Sequence, residues 1–156
     1  MKGRRRRFWA SGRAVLCFGV IALAGACDKS DDLRSALESH RTNWVQRVSA
    51  LQDRASGLEQ RLKAQPPGGN ATIAAQAERR RLEASIAGSR QTLFDMQTHV
   101  TDSVREVETA LRQGSAQAEE TLNGVVGRMN EYVRLEEQTL AVNEAALTRI
   151  GEDVRP

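Results

Sequence analysis

Between Cys27 and Arg155 the only prolines are Pro66 and Pro67, set in Gln65-Pro66-Pro67-Gly68-Gly69-Asn70. Proline removes a backbone donor and clashes with the preceding turn, so a chain this free of it is open to long helices and breaks decisively at one place. The segment ahead of the break opens with Ser30-Asp31-Asp32, a cap followed by first-turn acids. It closes with Arg61 and Lys63, the charge order that a helix dipole favours. These signals predict a helix over residues 31–64 and a loop over 65–70. The expected fold class is all-α.

The apolar spacing supports helices that pack on one another. Leu37, Trp44, Leu51 and Leu58 recur every seven residues, with Val48, Ala55 and Leu62 as the complementary row, which is a coiled-coil seam. The same seam places Arg34 and Arg41 at core-type positions, which implies loose packing or a partner at that end. After Asn70 more than 80 residues run without proline up to Arg155, and the spacing changes to eleven. Leu82, Leu93, Val104, Ser115 and Val126 form one row; Val100, Leu111, Leu122 and Val133 a second; Met96, Val107, Ala118, Met129 and Leu140 a third. Backward extension of the last two rows reaches Ser89 and Ser85, so the pattern is weaker near the loop.

Gln113-Gly114-Ser115 decides between two architectures. Eleven residues make about three straight turns, and the phase is kept across this point, which favours a long antiparallel helical hairpin or coiled coil whose second helix is ~120 Å long. Its distal half would need a partner. Glycine costs about 1 kcal/mol relative to alanine inside a helix, and Gly-Ser also reads as a C-cap followed by an N-cap. A turn at Gly114 would give a three-helix antiparallel bundle that buries its own stripes.

Ahead of all this lies an export signal. Lys2, Arg4, Arg5, Arg6, Arg7 and Arg13 form a positive n-region, and Ala14 to Ala26 an apolar core too short for an ordinary spanning helix. Leu23-Ala24-Gly25-Ala26-Cys27 resembles the lipobox of bacterial lipoprotein signal peptides, with Ala24 where that pattern more often has Leu. The resemblance covers residues 1–28 alone. It implies a diacylglycerol thioether on Cys27, cleavage just before it, and two or three acyl chains, each buried CH₂ of which contributes ~0.8 kcal/mol to anchoring. Arg5-Arg6-Arg7-Phe8-Trp9 resembles part of a twin-arginine signal, although the general secretory route is the preferred reading. Asp28 resembles the residue that keeps lipoproteins of some enteric bacteria in the inner membrane; the choice of membrane stays open. The expected organisation is a signal peptide over 1–26, a lipid-anchored linker over 27–30, and a helical coiled-coil domain over 31–150.

Without the signal the charge changes sign. Six of the 23 Lys+Arg precede Cys27 and none of the 20 Asp+Glu do, so the remainder carries 17 basic and 20 acidic residues. Arginines alternate with acids along it, as on a solvated helix surface, and no basic face for nucleic acid emerges. The same balance, with only Lys29 and Lys63 as lysines, disfavours a helix lying flat on anionic lipid. Cys17 falls within the signal and Cys27 is the acylation site, so no internal disulfide is expected. Trp44, Phe94 and Tyr132 are the only aromatics of the remainder, which suits helices packed through Leu, Val, Ala and Met.

Catalytic chemistry finds little to build on. Asp95, His99, Asp102 and Glu106 share one helix face, and the bland reading is a solvated row, not a metal or acid-base site. Glu119-Glu120 and Glu136-Glu137 are adjacent in sequence and so face apart on a helix, which reads as surface charge. Gly124-Val125-Val126-Gly127 lacks the context of a phosphate loop and reads as a close helix contact or a flexible point. Trp44 and Tyr132 read as core residues. No cofactor and no enzyme activity are expected.

The functional expectation is a lipid-anchored protein facing the periplasm from a bacterial membrane, serving as a helical scaffold or spacer through helix-helix association. An adaptor that recruits a helix of another envelope protein is the alternative, and a carboxylate-based enzyme a weaker one. Residues expected to carry the association are Leu37, Trp44, Leu51, Leu58, Val100, Val107 and Leu111, with Cys27 as the lipidation site.

Overall fold

The computed structural model describes residues 16–65 and 72–153, with side chains described over 29–65 and 72–151. Three helices account for nearly all of it: α1 (Leu16–Ala64), α2 (Ile73–Gln113) and α3 (Ser115–Asp153). The expected all-α class holds. Of the two architectures, the chain adopts the three-helix bundle, because the long second helix is interrupted at Gly114.

Local chemistry sets each boundary. α1 ends at Ala64 ahead of the double proline, and the Arg79 guanidinium donates to the carbonyls of Leu62 (2.6 Å) and Gln65, groups that the helix itself leaves unsatisfied. All of the predicted loop except Gln65 lies outside the described residues. Thr72 then caps α2, its Oγ1 accepting from the Ala75 N–H at 3.2 Å. α1 starts at Leu16, well ahead of the predicted residue 31, and residues 27–30, expected as a linker, lie inside it. No proline separates the apolar stretch from residues 31–64, so one helix runs through both.

Gly114 is the whole connection between α2 and α3. Its φ of 146° and ψ of 154° lie in a region that is essentially confined to glycine. Its N–H donates to the Ala110 carbonyl and its carbonyl accepts from the Ala118 N–H, both at 3.1 Å, so it ends one helix and starts the next. The predicted division of these roles between Gly114 and Ser115 is thereby corrected; Ser115 is already helical.

Side-chain pairs fix the register. Across α2 and α3, Arg128 reaches Glu106 at 2.8 Å and Ser85 Oγ donates to Asn143 Oδ1 at 2.8 Å, so these helices are antiparallel. Lys29–Glu119, Arg47–Glu137 and Arg54–Glu144 join α1 to α3 in parallel at a constant sequence offset of 90. Gln97 Nε2 to Gln52 Oε1 at 3.0 Å, with Arg90–Glu59, runs α2 antiparallel to α1. The result is an up-down-up bundle of ~60 Å, at 1.5 Å per residue for the 39 residues of α3.

The core is one apolar column in two parts. Trp44, Leu37, Val100, Val107, Leu122, Val125 and Met129 pack together near Gly114. Leu51, Leu58, Leu82, Leu93, Leu140 and Leu147 are among those that fill the other end. Every apolar residue of the predicted α1 seam is buried, as are Met96, Val107, Ala118, Met129 and Leu140 of the eleven-residue row. Arg34 and Arg41 are not in the core: both are exposed and pair with Asp31 and Glu38 one turn away. The inward row shifts by one residue there, and His40 takes the place expected for Arg41, stacking on Trp44 at 5.6 Å between ring centroids.

Arg54 and Glu144 form the best-aligned charge pair, with Nε–Oε1 and Nη2–Oε2 contacts of 2.5 and 2.6 Å. The hydrogen bonds from Arg54 hold the Glu144 carboxyl below the usual glutamate range, with burial opposing. Because the folded value is depressed, the stabilisation is fully present above the unfolded pKa of about 4.3 and disappears as pH falls through the folded value. Both side chains are about one-third exposed (35% and 36%), which limits the pair to under about 1 kcal/mol. In urea titrations at pH 7 and pH 3, Glu144→Gln should therefore be slightly less stable than the native chain at pH 7, and the gap should narrow at pH 3. A gap that widened in acid would contradict this assignment.

Candidate functional site

The described surface is built from solvated helix faces, so the places with distinct chemistry are the ends and the inner seam. At one end the constant α1–α3 offset sets the Gly114 turn level with residue 24 of α1, within one helical turn of Cys27. Lys29 Nζ meets Glu119 Oε2 at 2.7 Å just inside that end. Cys27 itself lies in α1, and its side chain is outside the described residues. The part of α1 ahead of residue 24 runs past the turn between α2 and α3. Cleavage before Cys27 would therefore leave α1 almost flush with the closed end of the bundle. None of the described helices is long and apolar enough to cross a membrane.

The seven residues expected to mediate association all face the interior of a single chain. Leu37, Trp44, Leu51, Leu58, Val100 and Val107 are buried, and Leu111 is half-buried beside the Trp44 cluster. Their neighbours are other core residues of α1, α2 and α3, so a second chain meets them only if the bundle opens.

Asp95, His99, Asp102 and Glu106 are all exposed on α2. Gln91 donates to Asp95 at 2.9 Å, Arg105 pairs with Asp102 at 3.4 Å, and Arg128 with Glu106. His99 lies 6.1 Å from the Tyr132 ring. Among the described residues no three His, Cys, Asp or Glu side chains converge as a metal set. Glu119 and Glu120 are exposed, as expected of adjacent acids. Glu136 is not. It is 7% exposed on the inner face of α3, while Glu137 turns to Arg47.

Tyr132, expected in the core, is 47% exposed, and Phe94 is exposed as well. The 3.6-residue period carries Tyr132 to the flank of the Met129–Val133 stripe, where its ring lies beside that of His99. Gly124 and Gly127 are exposed, and the only atom near the Cβ either would carry is an Arg128 nitrogen, 3.7 Å from Gly124. No neighbouring helix approaches closely there, so the expected helix contact is absent.

Three polar side chains on α2 and α3 are buried, of which the eleven-residue rows of the sequence reach Ser89 but not Glu136 or Asn143. Ser89, Glu136 and Asn143 are 3%, 7% and 4% exposed. Ser89 Oγ, Glu136 Oε1 and Asn143 Nδ2 have no hydrogen-bond partner among the described residues. The signal was present: Glu136 and Asn143 fall in the spacing of Met129, Val133, Leu140 and Leu147, which is the inward row. Comparison of the chain with family models, with curated proteins and with solved structures returned no match.

Proposed function

We propose that this is a lipid-anchored envelope protein whose bundle acts as a scaffold or spacer at a bacterial membrane, facing the periplasm. The observation that carries the reading is the coincidence of two ends. The lipobox-like cysteine, Cys27, falls at the level where the Gly114 turn closes the bundle, so the folded body begins where the signal ends. Acyl chains on Cys27 would fix that end at the lipid surface and hold the Ala64 end of α1 ~55 Å away, at 1.5 Å per residue.

Labelled palmitate should enter the native chain, and the protein should sediment with membranes. Cys27→Ser should abolish labelling and release the chain from the membrane fraction. Unchanged labelling and fractionation would remove the anchor and with it this reading. An adaptor role is the second reading, favoured by Phe94 and Val142, which are 63% and 66% exposed and take no part in the core. Neither reading calls for catalysis.

A further inference from the structure

We propose that the α2–α3 hairpin opens at Gly114 and exchanges α3 between two copies of this chain. Such exchange supplies the self-association of the scaffold reading and rests on that reading for its setting at a membrane surface. The occupant of the opened seam is the same α3, donated by a second copy.

Four observations converge on it. The hinge is a single residue, held at a φ of 146°, and short strained connections favour exchange over closure. Gly114 is already bonded to both helices at helical spacing: Gly114 to Ala110 and Ala118 to Gly114 both span four residues, as in an α-helix. Rotation at one residue therefore converts α2 and α3 into one helix. Met96, Val107, Ala118, Met129 and Leu140 keep one phase through the hinge, so the straightened helix presents a single stripe whose halves serve two separate bundles. The seam that must open also carries the unpartnered polar atoms of Ser89, Glu136 and Asn143, whereas the inward row of α1 from Val48 to Leu62 is wholly apolar.

In the exchanged pair the contacts of α3 with α1 and α2 are remade between copies, while those of α1 with α2 stay within one copy. The two states differ in the hinge, in the junction between the bundles and in the entropy of association. Two bundles lie end to end with both Gly114 residues at the centre. Both Cys27 residues lie close to that centre, so one membrane surface accommodates both anchors. The shared helix is ~120 Å long.

The test uses the full chain in membranes, as two differently tagged copies, one carrying Glu106→Cys and the other Arg128→Cys. The native side chains at these positions meet across α2 and α3 and are about half exposed. A short bis-maleimide then joins different tags when α3 has been exchanged, and the response to the hinge distinguishes exchange from side-by-side contact. With native Gly114 the mixed-tag product should be minor and should rise with expression level. Gly114→Ala in both copies should raise its proportion about tenfold, since alanine favours the straight helix and resists the closed hinge. Two glycines inserted after Gly114 should lower it by relaxing closure.

A mixed-tag product absent at every level, or unmoved by both hinge changes, would overturn the exchange; the second outcome would mean side-by-side contact. A chain with no introduced cysteine should give no product, because Cys27 is acylated. A product there would instead refute the lipid anchor, and the exchange would be decided by the same comparison in a Cys27→Ser background.

Discussion

Leu51→Asp should unfold the bundle at temperatures where the native chain is fully helical. Leu51 is 5% exposed in the column formed by Val48, Ala55 and Leu58 of its own helix with Leu93 and Leu140 of the others. Removing its side chain forfeits burial and leaves a void, about 2–5 kcal/mol in comparable cores. The aspartate then brings a carboxylate into a place without a partner, which adds several kcal/mol more or forces the helices apart. A total of roughly 5 kcal/mol or above is the whole stability of many small domains. Circular dichroism during thermal melting is the measurement; a midpoint within a few degrees of native would mean that this seam is not the core.

The α1 seam was legible because one property, a large apolar side chain every seven residues, is written directly in the residue types. Buried Leu37, Trp44, Leu51 and Leu58 needed no knowledge of the other helices. The turn at Gly114 was not legible in the phase, and the reason is geometric. The last inward residues of α2, Ala110 and Leu111, and the first of α3, Ala118, are about two helical turns apart along the chain. A one-residue hairpin must bring the chain back to the same side after that interval, and a straight helix does so too. Retained phase is therefore expected of both arrangements, and only the backbone of Gly114 separates them. Glu136 was misread for a different reason: adjacency to Glu137 excludes a shared face but says nothing of which of the two points inward. The assignment of Cys27 rests on the lipobox resemblance alone, and the bundle adds only its level beside the closed end.

Gly114→Ala should destabilise the closed bundle by about 1–3 kcal/mol, the range for a residue forced into a sparsely allowed backbone region. No atom lies within 4 Å of the Cβ that alanine would add, so the cost arises in the backbone and not from a clash. Melting should be followed at dilutions where copies stay single, and the midpoint should fall by several degrees. A rise of the midpoint would signal that residue 114 is helical and that the long hairpin is the native form.

An odd number of helices leaves the start of α1 and the end of α3 at opposite poles of the bundle. A force applied between the Cys27 pole and the Asp153 pole acts along all three axes at once. Lys29–Glu119, Arg47–Glu137 and Arg54–Glu144 lie between parallel helices, so such a load shears the three pairs together and cannot unzip them singly. With an even number of helices both ends would share one pole, and the same pull would peel one contact after another. The bundle is thus arranged to resist tension between its two poles, with a lifetime under load set by the rate of unfolding.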